Sequence, residues 1–287
     1  MNDKVFLILF AFLAAAGCST QKMAVQMALP LVQGQYDSIQ EEVDPELAEW
    51  AIPSSLKVLE GLLKSDETNT DILRSLAEGF CGYAFSFVEE TDPVRASGLY
   101  LRGRNYALRA LSESFGVPGL SGLVLGELKQ ALARVEKEQI SSLFWAGQCW
   151  GGWLMLSMDD PEAFADISKV EQVMVRALEL DETYHYAGPH LFLGVFYGGR
   201  SRLLGGNAEK ARFHFERSLE LTENRYLLAH FLYAKTYAVQ NQDRELFDRL
   251  LDTVSQTPSE VLSKQRLANE VAKLKAENLS RRADELF

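Results

Sequence analysis

An all-α chain of about eleven helices, stacked as helical hairpins, is the fold this sequence predicts. Three observations carry it. From residue 45 onward apolar residues recur at i, i+3, i+4 and i+7, the spacing of one helix face. No segment alternates apolar and polar residues long enough to make a strand. Local strings also repeat: Arg109-Ala110-Leu111 and Arg176-Ala177-Leu178 close two helices, and GFCGYAF (79–85) is similar to GQCWGGW (147–153).

The first 18 residues read MNDKVFLILFAFLAAAGC. Val5 to Leu13 is an unbroken apolar run, too short for a bilayer span of ~20 residues. It fits the core of a signal peptide, and Ala14 to Gly17 fit a small-residue cleavage site. A cysteine in the next position resembles a bacterial lipobox, with Ala15 where Leu is commoner. That resemblance implies cleavage before Cys18, lipid attachment to Cys18, and a body tethered to the membrane by acyl chains. Ser19 is not the Asp that holds some lipoproteins in the inner membrane, which favours the outer membrane, facing the periplasm.

The expected organisation is a signal peptide over 1–17, a lipidated N-terminus and tether over 18–44, a helical domain over 45–257 and a charged C-terminal helix over 258–287. Within 19–44, Pro30 interrupts a first short helix and the stretch from Gly34 to Asp44 is polar. Helices then follow near 45–64, 70–89, 93–114, 121–136, 139–157, 161–180, 184–200, 207–221, 224–240, 242–256 and 258–283. Asp92-Pro93 and Asp160-Pro161 each place Pro at the first helical position behind an N-cap. Gly116, Pro118 and Gly119 mark the longest internal loop. The last helix, rich in Lys, Arg and Glu, reads as a solvated one.

With 29 Lys and Arg against 40 Asp and Glu the formal net charge is −11. An acidic chain with no basic stretch excludes nucleic acid as an expected partner and leaves the lipid as the expected membrane contact. Besides Cys18 there are only Cys81 and Cys149, both in apolar helices. Equivalent positions on neighbouring helices usually lie farther apart than the ~5.5–6 Å between Cα atoms that a disulfide wants, so two buried free thiols are expected.

The clearest repeat runs from Ala187 to Leu221, with Leu193, Gly194 and Tyr197 on its first helix and Gly206, Ala211, Phe215 and Leu219 on the turn and second helix. This order resembles a tetratricopeptide (TPR) repeat, with about five extra residues around Leu203 to Gly205 against the usual ~34-residue period. Pairs of this kind stack into a curved TPR-like α-α superhelix with a concave groove.

Three segments carry a wider resemblance: LAEGFCGYAFSFVEETDPVRASGLYLRGRNYALRAL (76–111), LFWAGQCWGGW (143–153) and GGNAEKARFHFERSLEL (205–221). Together they resemble the T-component family, the TPR-containing lipoproteins associated with tripartite ATP-independent periplasmic (TRAP) transporters. The resemblance covers roughly residues 45–255. It implies homotrimeric assembly, a cleft or pore in each protomer, and association with the periplasmic solute-binding protein of the transporter. It brings no catalytic residues and no cofactor.

Candidate cleft residues come from the helices themselves. Arg95, Arg102 and Arg109 share one edge of the apolar arc of helix 93–114, while Arg104 falls inside that arc. A buried arginine needs a carboxylate or a cavity. Either it pairs with Glu78 on the preceding helix, or its guanidinium faces the cleft and takes a substrate carboxylate. Tyr83 shares the Glu78 helix and joins the candidates. Helix 139–157 is apolar all round, as a central helix is, and its Trp145 and Trp150 either pack the core or line a cavity. Of the four histidines, His185, His190, His214 and His230, it is His190, on the first helix of the clearest repeat, that either faces the groove or is an ordinary core or surface histidine. No histidine pair has i, i+4 spacing, so no metal site is expected, and no nucleophile-and-base pattern marks an enzyme. The expected function is a lipid-anchored periplasmic accessory of a TRAP uptake system that docks the solute-binding subunit and takes an organic-acid or hydrophobic ligand. The alternative is a TPR scaffold for envelope protein assembly.

Overall fold

The structure, a computed structural model, describes residues 3–116 and 119–287, with side chains from Thr20 onward except Glu162. The expected signal peptide and the lipidated Cys18 therefore lie outside the described side chains. Thirteen α-helices are described: α1 (Asp3–Gln40), α2 (Pro45–Leu63), α3 (Thr70–Tyr83), α4 (Pro93–Phe115), α5 (Leu125–Leu132), α6 (Ile140–Leu156), α7 (Pro161–Leu180), α8 (Tyr184–Gly198), α9 (Ala208–Leu221), α10 (Leu227–Leu232), α11 (Arg244–Gln256), α12 (Arg266–Arg281) and α13 (Ala283–Leu286). No strand is present among the described residues. Among them, no helix is long and apolar enough to cross a membrane.

Helix starts follow capping chemistry. The Asp44 carboxylate accepts the backbone N–H groups of Glu46 and Leu47, Asp92 accepts that of Arg95, and Asn207 accepts that of Lys210. Pro45 and Pro93 occupy first-turn positions where no donor is lost. α4 ends on Gly116 in the left-handed conformation, φ 72°. α3 and α10 both continue as π-helical turns, at Ala84–Val88 and Tyr233–Ala238. Such wide turns are uncommon and recur at functional sites.

Successive helices pack as antiparallel hairpins, α3 with α4, α6 with α7 and α8 with α9, and α6 is central. Ile140, Leu143, Phe144, Ala146, Trp150 and Leu154 of α6 are buried among α3, α4, α7 and α8.

Three expectations are corrected. The tether does not break at Pro30; α1 runs through it to Gln40. Pro30 faces solvent, while Val25, Leu29, Val32, Tyr36 and Ile39 form one inward face against α2 and α12, so packing outweighs the missing hydrogen bond. The last long helix is not solvated: Leu267, Val271, Ala272, Lys275 and Ala276 of α12 are buried. α12 closes the array by packing against α2 through Ala48, Leu267 and Val271, with Ile39, Ile52 and Phe87 around them. At the same seam the Lys275 ammonium lies 3.0 Å from Glu90, and Lys235 lies 3.8 Å from Glu89 and 3.7 Å from Glu90. Finally, Cys81 and Cys149 are joined by a disulfide, with Cα atoms 5.5 Å apart. α3 and α6 are inner helices of successive hairpins, and Gly103 of α4 lets them meet at this point, because a Cβ there would overlap the Cys81 sulfur.

Candidate functional site

Closure by α12 leaves a lumen of about 410 Å³ between the inner helices. That is within the ~300–1,000 Å³ range of small-molecule sites. α1 gives Val32, Tyr36 and Ile39 to its wall; α2 gives Ile52 and Leu56; α3 gives Glu78 and Tyr83. α6 contributes Phe144, Trp145, Gln148 and Met155; α8 contributes His185, Phe192 and Phe196; Tyr226 and Leu267 complete the far side. Both π turns face the lumen, through Phe85 and Ser86 on one and Lys235 and Thr236 on the other. Lys235 lies within the second π turn and Glu89 directly after the first, and both reach the wall.

Two charged points stand in this mostly apolar surface. At one, the Tyr36 hydroxyl of α1 donates to the Glu78 carboxylate. Burial pushes the Glu78 carboxyl up to about 7, against the pull of that hydrogen bond. The Tyr36 phenol is raised in turn by its burial and by the Glu78 charge. No lysine or arginine pairs with Glu78 among the described residues. At the other, Tyr100 donates to Glu89 at 2.7 Å, and Glu89 shares Lys235 with Glu90.

Aromatic rings crowd the Glu78 end. Phe144 contacts Trp145 and Tyr184, Trp145 contacts His185, and Tyr186 stacks on Tyr226, with ring centroids 4.9–5.5 Å apart. The turn that brings His185 in is left-handed over three residues, His185, Tyr186 and Ala187 at φ 46°, 57° and 57°. Non-glycine residues in that region cost about 1 kcal/mol or more each and are retained where surrounding packing demands it. Gly188 answers the same packing, since a Cβ there would sit 2.7 Å from the Phe144 ring. Burial holds the His185 imidazole down at about 4, so it is neutral.

The candidates taken from sequence divide. Glu78, Tyr83 and Trp145 line the lumen together; Arg102, Arg104, Trp150 and His190 do not. The Glu78–Arg104 ion pair does not form. Arg104 lies over Trp150 and Trp153, 5.5 and 5.6 Å from their ring centroids, on the face of α6 turned away from the lumen. Trp150 is fully buried there and donates to Asp166 at 3.0 Å. Arg102 pairs with Glu60, which also accepts from Tyr106 at 2.7 Å, and lies over Phe80. His190 is 3% exposed between α8 and α9, its two nitrogens taken up by His214 at 2.9 Å and Glu182 at 3.0 Å. Arg217 and then His190 hold the Glu182 carboxyl down at about 2. Neither arginine reaches the lumen, so neither can take a substrate carboxylate there. Tyr36, Tyr226 and Lys235 went unnoticed in the sequence, although Val25, Leu29, Val32, Tyr36 and Ile39 carry a helical spacing that points to the first of them, and among the histidines it is His185, not His190, that lines the lumen.

Comparison with known proteins gives two matches. The sequence model of the TRAP transporter T-component family matches residues 41–287. An uncharacterized protein of Treponema pallidum (strain Nichols) is 25% identical, with 85% of each chain covered.

Proposed function

Because the chain belongs to the TRAP transporter T-component family, we propose that it is a lipid-anchored accessory on the periplasmic side of the envelope, which docks the solute-binding protein of a TRAP transporter and holds a small, largely apolar ligand. The family is one of transporter components, not of enzymes. The observation that carries the ligand half of this reading is the lumen of about 410 Å³, walled mostly by aromatic and aliphatic side chains. A scaffold that holds an extended peptide needs an open groove. Here α12 packs against α2 and joins the two ends of the array, and α1, α2 and α12 all contribute to the wall of the lumen.

The anchor is Cys18 and the membrane the outer one, on the lipobox and on Ser19 after it; the assembly is a homotrimer, on the family resemblance. The deciding experiment is calorimetric titration of residues 20–287 with the solute-binding protein of the same organism's TRAP system, with sedimentation on the same samples. Saturable binding by a trimer supports the reading. Absence of binding, with and without transported solute, overturns the docking half and moves the weight to the scaffold alternative. Cys18→Ser, followed by loss of label from a palmitate analogue, tests the anchor.

A further inference from the structure

This inference rests on the reading of the lumen as a ligand site and says what that site selects. We infer that the Glu78 end of the lumen is a cation subsite, taking the ammonium or substituted ammonium head of an amphiphile whose apolar tail lies along the rest of the wall.

Four observations converge on it. Glu78 is a carboxylate inside an aromatic-walled lumen, and Tyr36 alone is bonded to it; no cation of the protein pairs with it among the described residues. An uncompensated charge in such a place is costly, and an entering cation offsets that cost. Tyr36, Phe144, Trp145 and Tyr226 line this end, and aromatic rings are the groups that bind alkylammonium heads. Other charged or titratable groups facing Glu78 are phenols and a neutral imidazole: Tyr184, Tyr186 and Tyr226 from the α8 and α10 sides, and His185. Arg74, one helical turn away on α3, is paired with Asp71. Last, the lumen offers an anion nothing comparable. Lys235 is already shared by Glu89 and Glu90, and Arg102 and Arg104 lie outside.

The physical consequence is selectivity by charge at constant tail length. With Glu78 near half-ionised at neutral pH, binding a cation favours its ionised form, so affinity for a permanently charged cation rises with pH through that range. The full chain carrying Cys18→Ser, which leaves no attached acyl chain to compete, is titrated by calorimetry with octyltrimethylammonium, octanol and octanoate. Octyltrimethylammonium is expected to bind about ten-fold more tightly than octanol, and octanoate more weakly than either. Its affinity rises several-fold between about pH 6 and pH 8 while that of octanol stays flat. Glu78→Gln keeps an acceptor for Tyr36, and is expected to abolish both the cation preference and its pH dependence while octanol still binds. If octanoate or octanol binds as tightly as the cation, or the cation's affinity is flat with pH in the unsubstituted side-chain background, the cation subsite is wrong and the lumen remains a ligand site. If none of the three binds, the ligand reading itself falls, and this inference with it.

Discussion

Gly103 of α4 lies directly over the sulfur of Cys81, so that the disulfide between Cys81 and Cys149 fits only because no side chain stands there. The Cys149 sulfur and the Ala77 carbonyl would each lie 3.0 Å from an added Cβ. Gly103→Ala is therefore expected to lower stability by about 1–3 kcal/mol, the usual cost of overpacking a core. Cys81→Ala with Cys149→Ala removes a link across 68 residues and is expected to cost about 2–4 kcal/mol. The two effects are coupled: in the double alanine background Gly103→Ala no longer meets the two sulfurs and keeps only the Ala77 carbonyl as a close neighbour, so its cost shrinks. Urea titration of the four proteins checks this, and thiol labelling under denaturing conditions is expected to find neither Cys81 nor Cys149 free in the parent.

Stability against pH carries the mark of the lumen. The Glu78 carboxyl is raised to about 7, so between its unfolded value of ~4.3 and 7 the folded state holds a proton the unfolded state has released, and stability falls as pH rises. The full effect is on the order of 4 kcal/mol. His185 and His214 are held down at about 4, by burial first in each case. Between 4 and ~6.5 the unfolded state is the one holding those protons, and stability rises with pH. His190 and His230 are lowered by burial as well, so the histidines together outweigh Glu78 below ~6.5 and stability rises with pH there, while Glu78 flattens that rise up to about 7. Glu78→Gln removes the opposing contribution and is expected to steepen the rise of stability between about pH 5 and pH 7. Melting temperature across pH 5–8 for the two proteins reads the difference, and parallel curves would refute the assignment.

Most helices from α2 to α11 were legible because each states its own start and face: Asp92-Pro93 caps and opens α4, and the apolar arc of α4 lies where the wheel puts it. Features that depend on a distant partner were not. Pro30 and Gly34 read as a tether because the inward face of α1, ending in Tyr36 and Ile39, acquires meaning only when α12 comes back to meet it. The charge of α12 hid a buried face centred on Val271 for the same reason. The disulfide required knowing that two hairpins sit in contact, and Arg104 pointed outward because Trp150 and Trp153, not Glu78, fill the space beside it. The left-handed turn at His185 has no sequence signature beyond the Gly188-Pro189 that follows it.

The inserted turn of the clearest repeat is built around one side chain. Arg200 is 6% exposed; its Nε donates to the Phe196 carbonyl at 2.7 Å, its Nη1 to the Leu204 carbonyl at 3.0 Å, and its guanidinium lies 3.7 Å over the Phe196 ring. This holds Leu203 out in solvent at 97% exposure. Arg200→Ala leaves two carbonyls unsatisfied and is expected to cost about 1–3 kcal/mol. Lysine cannot reach both carbonyls with one ammonium while stacking on Phe196, so Arg200→Lys is expected to behave like the alanine variant. Limited proteolysis after Leu203 and Leu204 is the sensitive measurement, since the turn loosens before the hairpin does. Equal cleavage in the parent and both variants would mean that Arg200 does not organise the turn.

The seam between α2 and α12 is the weakest part of the wall around the lumen, because its apolar cluster is small. Ala48, Leu267 and Val271 are its buried members, against more than thirty in the cluster around α6. Local opening free energies follow buried contact, so α12 is expected to open before α6 does. Val271→Ala, at a residue 1% exposed, is expected to cost about 1–2 kcal/mol and to speed amide exchange in α12 and the facing turn of α2, leaving α6 at the parent rate. Val170→Ala on α7, equally buried but inside the large cluster, is the control: it is expected to change exchange around α6 and α7 without selectively opening α12. If Val271→Ala accelerates every helix by the same factor, the ring opens only by global unfolding, and access to the lumen then requires a route through α1, whose Tyr36–Glu78 and Gln35–Ser55 hydrogen bonds would be its remaining closures.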